Sequence, residues 1–284
     1  MKFSVFTAST PDWTPEEAVA QLAEQGWDGV EWRVLDQQDA PEPGFWAGNR
    51  ATVALSTLTE SVPRIRELTA AAGLEISGIG GYATCDQHDD VETLLAATAA
   101  LGAERVRVRV PNLGGAPYPQ LFDRARRDYA HVAARAAHHG VKALVELHHQ
   151  SIVSSPSAAL RLLDGLDPAA VGVIHDLGNL VIEGGEEHRA GLEMLGDYLA
   201  HVHVKNCAWR PGEPAADGTV TWSHRWEPFA SGQADVHGYL RLLQELGYDG
   251  WVTSEDFSTT LPLAERTAGN LAYLRAGVAA PVAG

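Results

Sequence analysis

The chain alternates between two hydrophobic periods, and that alternation leaves few folds open to it. Runs with the period-two look of strands occur at Lys2–Phe6, GVEWRV (29–34), LEISGIGG (74–81), RVRVRV (105–110), VKALVEL (141–147), VGVIHD (171–176), LAHVHVK (199–205) and GWVTSE (250–255). Helical stretches separate them. Thr14-Pro15-Glu16-Glu17 is a capping box with proline at the first helical position, so a helix starts there and ends at Gly26. Further helices are expected at Val62–Ala72, Val91–Leu101, Tyr118–His138, Pro156–Asp164, Arg189–Gly196, Asp235–Leu246 and Leu261–Ala276. Glycines at helix ends (Gly26, Gly73, Gly102, Gly140, Gly247) mark short returns to the next strand.

Eight strands alternating with eight helices predict an α/β protein with a (β/α)8 TIM barrel, and 284 residues suit one barrel domain over 1–284. An open doubly wound sheet is the alternative, but no G-x-G-x-x-G follows the first strand, so its dinucleotide-binding form has no support. Two excursions interrupt the alternation, at about 35–57 and 206–234. In a barrel such loops lie over the active-site face.

With 45% hydrophobic and 20% charged residues, the chain can bury a substantial core. Its net charge of −16 repels phosphate backbones and anionic lipid, so neither nucleic acid nor a membrane is expected as a partner. Cys85 and Cys207 lie in no metal-type spacing, and the N-terminal apolar run is too short for a secretory segment. A cytoplasmic protein is the expectation, with a homo-oligomer left open.

Four consecutive strand ends carry metal-type ligands. Glu146 ends the fifth strand, Asp176 the sixth and Glu255 the eighth, while His203 lies near the end of the seventh. Taken singly, each acid reads as a cap for the next helix, and each histidine as a wall residue. Together in a barrel mouth, three carboxylates repel one another, and a divalent cation offsets their charge. Three oxygens and one nitrogen suit Mn²⁺ first, with Mg²⁺, Co²⁺ and Zn²⁺ open. His201 shares the face of His203 one layer deeper and reads as wall.

With these motifs in view, the chain resembles the xylose isomerase-like TIM barrels, a group of sugar isomerases, ketose 3-epimerases, inosose dehydratases and hydroxypyruvate isomerases. The resemblance runs from VFTAS and GWDGVEWR through VELHH, GVIHDLGNLVIEG and HVHVKN to SGQADVHGYLRLLQELGYDGWVTSED. It implies metal ligation by Glu146, Asp176, His203 and Glu255. It also implies proton transfer through an enediolate, with Glu146 and Glu255 on opposite faces of a sugar or keto-polyol. Two positions depart from the ketose 3-epimerase pattern: Asn179 stands where histidine is common, and Ile152 where glutamate is.

Five residues are expected to meet substrate. His148, two residues past Glu146, and Lys205, in phase with His203, follow from strand geometry. Asn179 and Arg210 follow from the resemblance. Trp209, with Trp222 and Trp226, belongs to an aromatic-rich loop that reads as part lid and part packing. No phosphate-type Gly-rich loop or arginine cluster stands out, which favours an unphosphorylated substrate. The activity expected first is a metal-dependent isomerase or epimerase. A lyase of the inosose dehydratase or keto-glycoside-cleaving kind, using the same enolate, is the second reading, and a sugar-binding barrel without activity the third. An abasic-site endonuclease would need a basic face, which the charge of −16 opposes.

Overall fold

In the computed structural model, which describes residues 1–279, eight parallel strands close a barrel. Around it run β1 (Lys2–Phe6), β2 (Gly29–Val34), β3 (Glu75–Gly81), β4 (Arg105–Arg107), β5 (Lys142–Glu146), β6 (Val171–Asp176), β7 (Leu199–Val204) and β10 (Trp251–Ser254), which pairs back to β1. Nine α-helices among the described residues follow the strands: α1 (Pro15–Gln25), α2 (Leu58–Ala71), α3 (His88–Leu101), α4 (Tyr118–His139), α5 (Pro156–Leu163), α6 (Leu177–Glu183), α7 (His188–Leu195), α8 (Val236–Glu245) and α9 (Leu263–Ala279). None of these is long and apolar enough to cross a membrane.

Local chemistry sets several boundaries. Thr14 Oγ1 accepts from the Glu17 N–H at 3.2 Å while Glu17 accepts from the Thr14 N–H at 2.8 Å, the reciprocal cap that starts α1. Gly26 closes it at φ +86°, a left-handed turn in which a side chain would be strained.

The strands divide their side chains between two environments. On β2, Val30, Trp32 and Val34 pack beneath the helices, with the Trp32 indole donating to Thr69 Oγ1 of α2 at 3.2 Å. Val202 and Val204 of β7 are likewise fully buried, each such side chain contributing about 1.5–3 kcal/mol of hydrophobic stabilisation. The alternate positions, Glu31, Arg33, His201 and His203, turn into the barrel.

Four expectations need correction. The fourth strand pairs regularly only over Arg105–Arg107 and continues as a single bridge between Thr84 and Arg109. Helix α2 begins four residues before Val62 and takes in Pro63, which withholds one N–H from the helical ladder. Helix α6 was not expected. It starts at once after β6 because Asp176 accepts from the Asn179 N–H at 2.8 Å and caps it. The excursion at 206–234 is partly regular: β8 (Asn206–Pro211) and β9 (Trp222–Glu227) form an antiparallel ribbon off the barrel mouth.

Candidate functional site

Barrel closure brings Glu146, Asp176, His203 and Glu255 together. One ligand atom from each lies within 4.8 Å of the others, and all four residues are buried. His203 Nδ1 is 3.6 Å from Glu146, 3.7 Å from Asp176 and 3.8 Å from Glu255. The register explains the convergence, since His203 pairs with Asp176 on β6 and Thr253 on β10, leaving Glu255 one step beyond the last paired residue of β10.

Three of the four side chains have their second atom held. Glu146 accepts from the Arg107 guanidinium at 2.7 Å and from Asn179 Nδ2 at 3.3 Å. Asp176 spends Oδ1 on the cap of α6, which leaves Oδ2 to face the cluster. His203 donates from Nε2 to Glu31 at 2.9 Å, which leaves Nδ1 buried, unpartnered and directed at the carboxylates. A carboxylate on the far nitrogen of a histidine whose near nitrogen faces three carboxylates is the pattern that orients a metal ligand. The donor set therefore fits a divalent ion.

Lys205 stands among the same acids. Its ammonium lies 2.7 Å from Asp176, contacts Glu255 and is 3.8 Å from Glu146. Gly178 permits this, because a Cβ there would overlap the lysine side chain. The buried charges shift one another. Burial pushes the Asp176 carboxyl up to about 8, with Glu255 and Glu146 adding and Lys205 opposing. Burial also disfavours the charged form of Glu146, but Arg107 outweighs it and holds that carboxyl well below the usual range. At His203 burial works downward, and the charge and hydrogen bond of Glu31, with the nearby Glu146 and Glu255 carboxylates, raise the imidazole well above an ordinary histidine.

Above the cluster is a cavity of about 380 Å³, lined by acids and bases of the site and by Trp46, Tyr82, Trp226 and Phe257. Its size suits a sugar-sized ligand. A larger cavity of about 780 Å³ lies at the opposite end of the barrel, beside Glu104, Arg105 and Lys142, and contains none of the four converging residues. Both excursions reach the mouth: the first supplies Trp46, which packs on Phe257 at 4.7 Å, and the second supplies His224 and Trp226.

Among the residues expected at substrate, His148, Asn179 and Lys205 line the cavity. Burial lowers His148 to about 4, and its Nδ1 donates to the His149 carbonyl at 2.7 Å, so Nε2 is a neutral acceptor. His149 has the same form, donating from Nδ1 to Asn179 Oδ1 at 2.8 Å. Trp209 and Arg210 do not line the cavity. Side chains alternate along β8, so Arg210 faces away from Trp226 and pairs with Glu227 at 2.7 Å on the outer face. Trp209 donates to the Val181 carbonyl at 3.3 Å and fastens the ribbon to α6, while Trp222 is exposed.

The sequence reading passed over Glu31 as a ligand-orienting acid and Arg107 as the partner of Glu146, as well as His149, His224, Tyr82 and Phe257. For two of these a signal was present. GVEWRV places Glu31 on an interior face, and RVRVRV places an arginine inward at every second position.

A probable ketose 3-epimerase of Synechocystis sp. is 28% identical over 106 residues, 37% of this chain, and the match spans less than a third (31%) of that relative's length. Among solved structures, the 3-keto-D-glucoside 4-epimerase YcjR from E. coli has a TM-score of 0.73 at 16% identity, over 97% of this chain and 99% of that one. The IOLI protein with a bound zinc atom has a TM-score of 0.75 at 14% identity, over 98% of both chains. At these identities the two structures speak for the fold. The family described as the xylose isomerase-like TIM barrel matches residues 19–277, and the chain belongs to that family.

Proposed function

We propose that the protein is a divalent-metal-dependent isomerase or epimerase of a sugar or keto-polyol. One observation carries the reading: three carboxylates and an unpartnered His203 Nδ1 meet at one point, with the second atoms of Glu146, Asp176 and His203 already held. Glu146, Asp176, His203 and Glu255 would hold the ion. When bound, a divalent cation supplies Lewis acidity toward the carbonyl and adjacent hydroxyl of a hydroxyketone, which acidifies the proton on the carbon between them.

The chain's own groups do the rest. Glu146 and Glu255 are the outer pair of the cluster, separated round the barrel by β6 and β7, and stand ready to take a proton from one side of the substrate and return it from the other. Arg107 keeps Glu146 in its carboxylate form. Asn179 ties Glu146 to the first turn of α6. The neutral imidazoles of His148 and His149 offer acceptors for substrate hydroxyls, and the aromatic walls exclude water from the reacting carbon.

The test is metal content and solvent deuterium exchange. Purified protein should take up one Mn²⁺ per chain and exchange the α-proton of a bound ketose. Glu146→Gln and Glu255→Gln should each slow that exchange about 10²–10⁴-fold. Absence of stoichiometric divalent metal, or exchange unaffected in both variants, would overturn the assignment. A product lighter than the substrate by a leaving group would make the chain a lyase.

A further inference from the structure

Positive charge at the mouth is distributed unevenly. Arg33, Arg107 and Arg109 stand round the Tyr82 ring, their guanidinium carbons 5.1, 4.6 and 5.6 Å from its centre. Among the described residues only Arg107 has a carboxylate partner, Glu146. Arg33 is buried and donates only to neutral oxygens, those of Gln37, Thr52 and the Trp46 main chain, while its Nε has no partner. Arg109 lines the cavity beside Glu146 and His148, and its guanidinium bonds to no described side chain. Burial and the neighbouring Arg107 both disfavour its charge, with Glu146 opposing.

With Asp176 and His203 stripped of the protons an ion would displace, four acids (Glu31, Glu146, Asp176, Glu255) face four bases (Arg33, Arg107, Arg109, Lys205) in and around the mouth. A divalent cation would leave the mouth positive. An anionic ligand restores the balance, and Arg109 is the unpaired group facing the space where it would lie.

We propose that the substrate carries a carboxylate and that Arg109 is the residue that selects it. This deepens the isomerase reading and rests on it: the hydroxyketone end lies at the acid cluster and the carboxylate on the Arg109 fork. A planar guanidinium matches a carboxylate through two parallel hydrogen bonds. A phosphate dianion asks for more donors, and among the described residues the cavity lining contains no glycine, serine or threonine to supply a phosphate-cradling loop. The three arginines round Tyr82 correct the expectation that no arginine cluster stands out. The proposed substrate is thus an unphosphorylated acid rather than a neutral sugar.

The experiment uses the full chain loaded with Mn²⁺ and three probes that differ at one carbon: D-fructose, D-fructuronate and D-fructose 6-phosphate. Calorimetry should show fructuronate binding about tenfold or more tightly than fructose. Arg109→Gln should bring that ratio to about one by weakening only the acid, while bound metal stays at the wild-type level. No fructuronate binding at millimolar concentration, a wild-type ratio near one, or a ratio that survives Arg109→Gln would overturn the proposal. Tighter binding of the phosphate than of fructuronate would overturn the carboxylate assignment. Metal content and deuterium exchange separate this from the isomerase reading. If both fail while the fructuronate preference holds, only the isomerase reading falls; if both hold without the preference, only the role of Arg109 falls.

Discussion

His201 and His203 lie two residues apart on one strand, face the same way and share one acceptor, Glu31, at 3.0 and 2.9 Å. Their charge states nevertheless diverge. Burial pushes His201 down to about 4, whereas Glu31 and the acids of the cluster raise His203 well above the ordinary value. The depth of each layer accounts for this. His201 lies among Glu31, Thr253 and, through Thr253, Ser4, a layer with a single carboxylate. His203 is one layer nearer the mouth, where Glu146, Asp176 and Glu255 converge on its free nitrogen. The deeper layer is joined by hydrogen bonds across the barrel, and the upper one gathers three carboxylates around a free nitrogen.

Exchanging each histidine for asparagine tests that contrast directly. His203→Asn should lower divalent-metal affinity by about 100-fold or more, since a ligand is lost outright. His201→Asn should leave metal affinity within a few-fold and instead cost about 1–3 kcal/mol of stability in denaturant unfolding, by disturbing buried hydrogen bonds. Equal loss of metal in both variants would mean that the two layers form a single site.

Glu31→Gln tests the shared acceptor. It keeps the shape but removes the charge that orients His203, so Mn²⁺ affinity should fall about 10–100-fold with the fold intact. Unchanged affinity would show that the deeper layer does not support the upper one.

The smallest expected effect is on pH. In the absence of metal, His203 and Asp176 have raised values and hold protons that the ion must displace. Binding should therefore release protons and weaken as pH falls below about 8, by about tenfold per unit for each proton displaced. The sign also reaches stability. A raised His203 stabilises the metal-free fold at low pH and loses that contribution as pH rises through its folded value. Asp176, also raised, is protonated below about 8 and adds buried negative charge above it. Metal-free protein should accordingly lose stability as pH rises toward about 8, and metal-loaded protein much less, which thermal melts across pH 6–9 can check. Coincident melting curves would remove the electrostatic account of the cluster.

The strand ends were legible because period two and chain order together assign a residue to a face and a height. That was sufficient for Glu146, Asp176, His203 and Glu255, and for separating His203 from His201. The same alternation of Arg and Val leaves the arginines of β4 only the interior, but Arg107 and Arg109 were not placed from it. Helix α6 escaped notice because its seven residues are too few to show a period, and its cap is a residue that also faces the mouth. Arg210 and Trp209 were expected at the cavity because nothing local shows that the excursion pairs with itself. Once β8 and β9 are in register, alternation sends Arg210 outward to Glu227.

The order of residues by itself determined the barrel, the inward faces and the four converging side chains, because each follows from a local period repeated eight times. Charge was decided only by the tertiary structure. Whether a buried acid or base keeps its proton depends on which opposite charges lie within a few ångströms. Closing the barrel gives Glu31 to two histidines, Glu146 to Arg107 and Lys205 to Asp176 and Glu255, and among the described residues it leaves Arg109 without a carboxylate partner at the mouth.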